Sequence, residues 1–225
     1  MKICDGVYAY PWTNMMENNC NTYVLEGDGL ILIDPGLKRY VPDILEAMKK
    51  DGLNSADISL VLNTHSHPDH IDGNSYFDRD KVKLTMHEEA EKFLSQEGIQ
   101  FFSMFGLETP DRKADYFTNE GDVELNNISL KIFHSPGHSP GSICIYWPEK
   151  KVLVSGDVAF SGSIGRTDFP GGSLAELGKS IERIALLETE YLLPGHNEIV
   201  QGVDAVKSNF DFIHRAFFSD LRYSR

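Results

Sequence analysis

Along the first third of the chain, apolar residues gather in short runs, "GVYAY", "CNTYVLE" and "GLILIDPG", rich in Val, Ile, Leu and Tyr. Such runs predict β-strands, and the "EGDG" between the last two predicts a hairpin turn. The period then changes. In "RYVPDILEAMKKDG", Val41, Ile44, Leu45 and Met48 recur at helical spacing and a glycine follows as a stop signal. "DISLVLNTH" is a nearly continuous apolar run of strand length, which predicts a buried strand ending at His65. A short helix in "PDHIDGNSYF", a strand in "KVKLTMH" and a helix in "EEAEKFLSQEG" continue the alternation. Residues 98–120 break it with an aromatic-rich insertion, either a lid or, as the simpler reading, a long loop with its own apolar anchor. Strands resume in "NISLKIFH", where Ile128, Leu130 and Ile132 mark one face, then in "SICIYW" and "KVLVSGD". A helix in "SLAELGKSIERIALL", a short strand in "EYLLPGH" and a last helix in "AVKSNFDFIHRAFF" follow, the last offering Phe210, Phe212, Phe217 and Phe218 as a core face. With no internal repeat and no linker, residues 1–225 read as a single α/β domain, long enough to bury a substantial core.

Charge narrows the function classes. There are 21 Lys+Arg against 34 Asp+Glu, a net charge of −13, which opposes condensation onto nucleic acid or anionic lipid. The three cysteines, Cys4, Cys20 and Cys144, are far apart and outside any CxxC pair, so neither a disulfide framework nor a thiolate zinc site is expected. A reducing cytoplasm is the natural setting. No stretch approaches the ~18 apolar residues of a membrane span, and the amino terminus lacks an apolar leader core.

The strongest chemical signal is "THSHPDH", residues 64–70, with three histidines and a carboxylate at the end of a predicted strand. Three more polar residues stand beside glycines at predicted strand ends: His138 in "HSPGHSPG", Asp157 in "LVSGD" and His196 in "LLPGH". Neutral imidazoles and carboxylates on rigid strand ends suit divalent metals, and a neighbouring glycine keeps the cavity clear. His65, His67, Asp69, His70, His138, Asp157 and His196 offer too many donors for one tetrahedral zinc and enough for two ions sharing a carboxylate. On an extended segment His65 and His67 point the same way, toward one ion. Asp69 and His70, in the first turn of a helix begun by Pro68, serve a second. His87, His134 and His214 read as structural. Asp34 is open between a partner that holds a ligating imidazole and a simple Asp-Pro-Gly turn. Arg166 and Asp168 are open between substrate contact and a loop-fixing ion pair, the latter being the simpler reading.

His65, His67, Asp69 and His70 match in full the HxHxDH signature of the metallo-β-lactamase fold superfamily, which this chain resembles over residues 20–200. The later family ligands fall on His138, Asp157 and His196 in order, and Asp34-Pro35-Gly36 resembles the family's early turn. The resemblance implies a four-layer αββα sandwich with metals at one edge between two sheets. "GRTDFPGGS", Gly165 to Ser173, is similar to the segment after the bridging aspartate in glyoxalase II and persulfide dioxygenases. By that likeness His65, His67 and His138 would hold one metal, Asp69, His70 and His196 the other, with Asp157 bridging. The long helical extension of larger glyoxalase II enzymes has no counterpart after His196.

The function so implied is hydrolysis of a small thioester or ester by a hydroxide bridging two divalent ions, zinc foremost with iron or manganese as alternatives. Asp69 is the candidate catalytic residue, accepting a proton from the attacking water. A thiolate departs readily, which fits the lack of an obvious general acid. The alternative is a mononuclear iron persulfide dioxygenase built on His67, His138 and Asp157, or a lactonase on the same site. The partner expected is a small molecule, with no nucleic acid, no membrane and the oligomeric state open.

Overall fold

The computed structural model describes residues 1–14 and 16–219. The first sheet begins with β1 (Lys2–Cys4), β2 (Val7–Tyr10), β3 (Thr22–Gly27) and β4 (Gly29–Ile33), an antiparallel meander whose last two strands form the hairpin expected at "EGDG". Helix α1 (Val41–Lys50) then crosses over to β5 (Ile58–Leu62), which runs parallel to β4. A single turn of helix, α2 (Pro68–Ile71), leads towards β6 (Lys83–Met86), and α3 (Glu88–Ser103) towards the two-residue edge strand β7 (Tyr116–Phe117). These seven strands lie in chain order. The second sheet has β8 (Gly121–Leu125), β9 (Ile128–His134), β10 (Ile143–Trp147) and β11 (Val152–Gly156) as antiparallel neighbours. After α4 (Leu174–Ile184), β12 (Tyr191–Pro194) joins parallel to β11, β13 (Val200–Gln201) closes the edge, and α5 (Val203–Phe217) packs outside.

Strand periodicity decides which residues face which layer. Val7, Tyr23, Leu25, Ile31 and Leu62 of the first sheet meet Leu130, Ile132, Ile145 and Val154 of the second in one core between the sheets. The alternate positions Val24, Leu30, Leu32 and Val61 face outward onto Ile44 and Met48 of α1 and Ala90 of α3. On the far side, Leu153 and Leu192 pack on Leu177 and Ile181 of α4 and Phe210 of α5. The layers are therefore helix, sheet, sheet, helix, as expected. Each fully buried aliphatic side chain contributes roughly 1.5–3 kcal/mol, so this double-faced burial dominates stability.

Three expectations need correction. Residues 98–103 are not loop: α3 runs on to Ser103, because Phe101 and Phe102 are fully buried and reward the extra turn more than Gly98 costs. Strands β1, β7, β8 and β13, the edge strands of the two sheets and each of five residues or fewer, were not foreseen. Finally, Phe210 and Phe218 are buried, but Phe212 is 47% and Phe217 38% exposed. The buried stripe of α5 is Val206, Phe210 and Ile213; Phe212, two residues after Phe210, is turned roughly 200° away from it. Among the described residues no helix is long and apolar enough to cross a membrane.

Candidate metal centre

All seven candidate ligands converge at the carboxyl ends of strands, where backbone ladders hold loop starts in place. His65, His67, Asp69 and His70 follow β5, His138 lies in the β9–β10 loop, Asp157 follows β11 directly, and His196 follows β12. The ligand atoms of His65, His67 and His138 lie within 4.8 Å of one another, and so do those of Asp69, His70 and His196. Between the two triads sits Asp157. Its Oδ2 is 3.3 Å from His138 Nε2 and 3.5 Å from His196 Nε2, and its Oδ1 is 3.3 Å from His70 Nε2, so the carboxylate reaches both triads.

Glycine is required for this approach. A Cβ on Gly195 would lie 2.2 Å from Asp157 Oδ1 and 2.8 Å from His70, and one on Gly156, at φ +48°, would lie 2.6 Å from Thr64 Oγ1. Any larger residue would fill the cradle where the ligands meet.

Directional hydrogen bonds orient the imidazoles. Buried Asp34 accepts from the Thr64 N–H at 2.8 Å and from Thr64 Oγ1 at 2.6 Å, and its Oδ2 is 2.9 Å from His70 Nδ1. A carboxylate only accepts, so His70 Nδ1 carries the hydrogen and Nε2 turns to the cluster. Because the Thr64 hydroxyl spends its hydrogen on Asp34, it accepts from His65 Nδ1 at 3.0 Å, which turns His65 Nε2 inward as well. His138 Nδ1 donates to the Arg166 carbonyl at 2.8 Å with the same result. Asp34 thus acts through both triads; it also sits at φ +51° in the Asp-Pro-Gly turn, so both roles weighed for it are present.

The inward nitrogens are crowded. His65 Nε2 and His138 Nε2 are 3.3 Å apart, as are His70 Nε2 and His196 Nε2. Two lone pairs at that distance need a proton or a cation between them. His67 Nε2 and Asp157 Oδ1 are buried with no hydrogen-bond partner at all, a costly state for polar atoms unless something binds them. Nitrogen and carboxylate donors with unsatisfied inward atoms fit divalent cations.

Electrostatics divide the triads. Burial, helped by neighbouring imidazoles, pushes His65 and His67 well below the ordinary histidine value, and burial lowers His138 in spite of Asp157. In the second triad burial pulls His196 down, but Asp157 and Asp69 outweigh it and raise it to about 10. Burial likewise opposes ionisation of Asp69, yet His70 and His196 hold it at about 2.

A family model described as the metallo-beta-lactamase superfamily matches residues 15–196, which contain all seven of these residues. The chain belongs to that superfamily. Its relatives include "Probable metallo-hydrolase MJ0888" of Methanocaldococcus jannaschii, 32% identical over 80% of this chain and 88% of that one. "Hydroxyacylglutathione hydrolase GloC" of Haemophilus influenzae is also 32% identical, over 80% and 85%. Among solved structures, the BLEG-1 B3 metallo-beta-lactamase superposes with a TM-score of 0.77 at 29% identity, covering 92% of this chain and 99% of that one. TTHA1623 in a di-iron-bound form gives 0.72 at 28%, covering 90% and 98%.

Two contributors escaped the sequence reading. Asn18 Nδ2 donates to Asp69 Oδ2 at 2.6 Å from a loop 51 residues away, and no local motif announces it. Thr64 opens the THSHPDH segment, but its relay between Asp34 and His65 is visible only in three dimensions. Arg166 and Asp168 form the expected ion pair, bidentate at 2.7 and 2.6 Å. His87 and His134 stack on each other with centroids 4.1 Å apart, and His87 Nδ1 caps α3 by accepting from the Glu89 N–H; neither joins a triad, nor does His214.

Proposed function

We propose that this chain is a metallo-hydrolase of small thioester or ester substrates, glyoxalase II-like in chemistry, working with two divalent ions, one at each triad. The observation that carries the reading is Asp157, whose single carboxylate lies 3.3 Å from a ring nitrogen of each triad. The reaction is water plus thioester giving carboxylate, thiol and a proton. Bound across the triads, divalent cations supply Lewis acidity and a water acidic enough to attack near neutral pH. The chain's own residues do the rest. Asp69, steadied by Asn18, takes the proton released by the attacking water. Asp34, Thr64 and the Arg166 carbonyl keep three imidazole hydrogens pointed away from the cluster, so that their other nitrogens remain donors. Phe101, Phe105 and Phe169 wall the site on the His67 side and limit water there.

The relatives named metallo-hydrolase and hydroxyacylglutathione hydrolase support this reading. Imidazole and carboxylate suit zinc and iron alike; zinc is the first choice from the sequence, while the di-iron neighbour adds weight to iron. One observation favours a second reading. The unsatisfied His67 Nε2 belongs, together with His138 and Asp157, to the face that a mononuclear iron persulfide dioxygenase would use. That reading leaves Asp69, His70 and His196 gathered around no cation.

Elemental analysis of protein purified without added metal, with turnover of thioesters, β-lactams and glutathione persulfide, tests the proposal. Two ions per chain and preferred thioester hydrolysis are expected. One iron per chain with persulfide-dependent oxygen uptake, or preferred β-lactam turnover, would overturn it.

A further inference from the structure

The cavity beside the triads, about 470 Å³, lies within the range of small-molecule sites and has one chemically distinct wall. Phe101 comes from the last turn of α3, Phe105 from the turn that follows it and Phe169 from the loop before α4. Their centroids are 5.2, 5.4 and 5.9 Å apart at interplanar angles of 71–81°, a closed edge-to-face set. Phe101 stands 4.8 Å and Phe169 5.8 Å from His67. A group one or two bonds from a reacting carbonyl would therefore meet these rings.

Away from the triads, the polar side of the cavity offers an anion little. Among the described lining residues, Arg166 is the only side-chain cation apart from the imidazoles, and Asp168 already engages it through two hydrogen bonds while its guanidinium covers Phe169 at 3.7 Å. A hydroxyl on the acyl carbon would face aromatic carbon at this wall without a partner, a poor exchange for water. An aromatic ring there would extend the edge-to-face set.

We propose that the acyl group is neutral and aromatic, of benzoyl or phenylacetyl size, and seats on Phe105 and Phe169, which the buried Phe101 backs; this rests on the hydrolase reading above. The acyl class is then set by the wall that the segments after α3 and before α4 build, and a 2-hydroxyacyl group is the poorer substrate.

The test uses the metal-loaded full chain and N-acetylcysteamine thioesters, whose common uncharged thiol isolates the acyl group. The phenylacetyl thioester is expected to exceed the acetyl and lactoyl thioesters in kcat/KM by about ten-fold or more. In Phe105→Ala, chosen because Phe105 is 44% exposed and tolerates removal, that ratio should fall several-fold. Phenylacetone, a neutral probe that cannot be hydrolysed, should show saturation transfer from the protein in the wild type and lose it in Phe105→Ala. Turnover of all three thioesters at equal kcat/KM without phenylacetone binding would overturn the assignment of the wall. Phenylacetone binding at Phe105 with no turnover of any thioester would uphold the wall and overturn the hydrolase reading alone.

Discussion

The two triads are neighbours with opposite electrostatics. His65, His67 and His138 form an all-imidazole, buried set in which desolvation keeps the rings neutral. Asp69, His70 and His196 include a carboxylate and a partly exposed ring, and there charge pairing beats desolvation so that His196 holds its proton. The lesson is that one fold edge builds, on either side of the shared Asp157, one triad whose rings burial disfavours as cations and a second in which carboxylates favour the charged ring.

The largest expected effect comes from abolishing the difference altogether. Asp157→Asn keeps the shape but removes the charge that both triads face, so metal content should fall at both and turnover should drop by more than the ~10–100-fold typical of residues that merely orient ligands. Metal analysis and steady-state kinetics on one preparation check this. Next comes His70→Ala, which should empty the second triad and spare the first, leaving about one ion per chain and residual hydrolysis. Asp34→Asn is expected to weaken metal affinity ~10–100-fold. Its amide hydrogens would confront those of Thr64 or His70, upsetting the orientation of His70 directly and of His65 through Thr64. Competition with a chelator of known affinity measures that loss.

The smallest effect sharpens the comparison by pH. In the chelated protein, His196 is raised from 6.5 to about 10, so its pairing stabilises the fold fully below about pH 6.5 and is lost as pH rises through about 10. His65 and His67 are shifted the other way. They add nothing above about pH 6.5 and cost stability below it, because the unfolded chain takes up protons that the fold refuses. Thermal melting of the chelated chain should therefore lose its alkaline decline in His196→Ala and lose part of its acid decline in His67→Ala.

How much of this was legible in the chain follows from the range of the forces involved. The HxHxDH cluster and the glycine-flanked His138, Asp157 and His196 could be read because each is a local pattern at the end of an apolar run. The layer order came with the family resemblance; alternation allowed it without requiring it. Asn18 could not be read, since its contact with Asp69 spans 51 positions and depends on how a loop folds over the sheet edge. The turn of α3 through Phe101 and Phe102 was hidden for a related reason. Gly98 and the Phe-rich stretch read locally as a break, and only the burial beside His67 makes helix the better state. Phe212 and Phe217 err in the opposite sense, because aromatic content alone does not say which face of α5 is covered.

The claim on which the account turns is that Asp157 joins the two triads into one dinuclear site. Metal stoichiometry and thioester turnover, measured in the wild type, Asp157→Asn and His70→Ala under one loading protocol, test it most directly. The account predicts two ions in the wild type, one in His70→Ala, and fewer than one with the lowest turnover of the three in Asp157→Asn. Two ions and near-normal turnover in Asp157→Asn would contradict it.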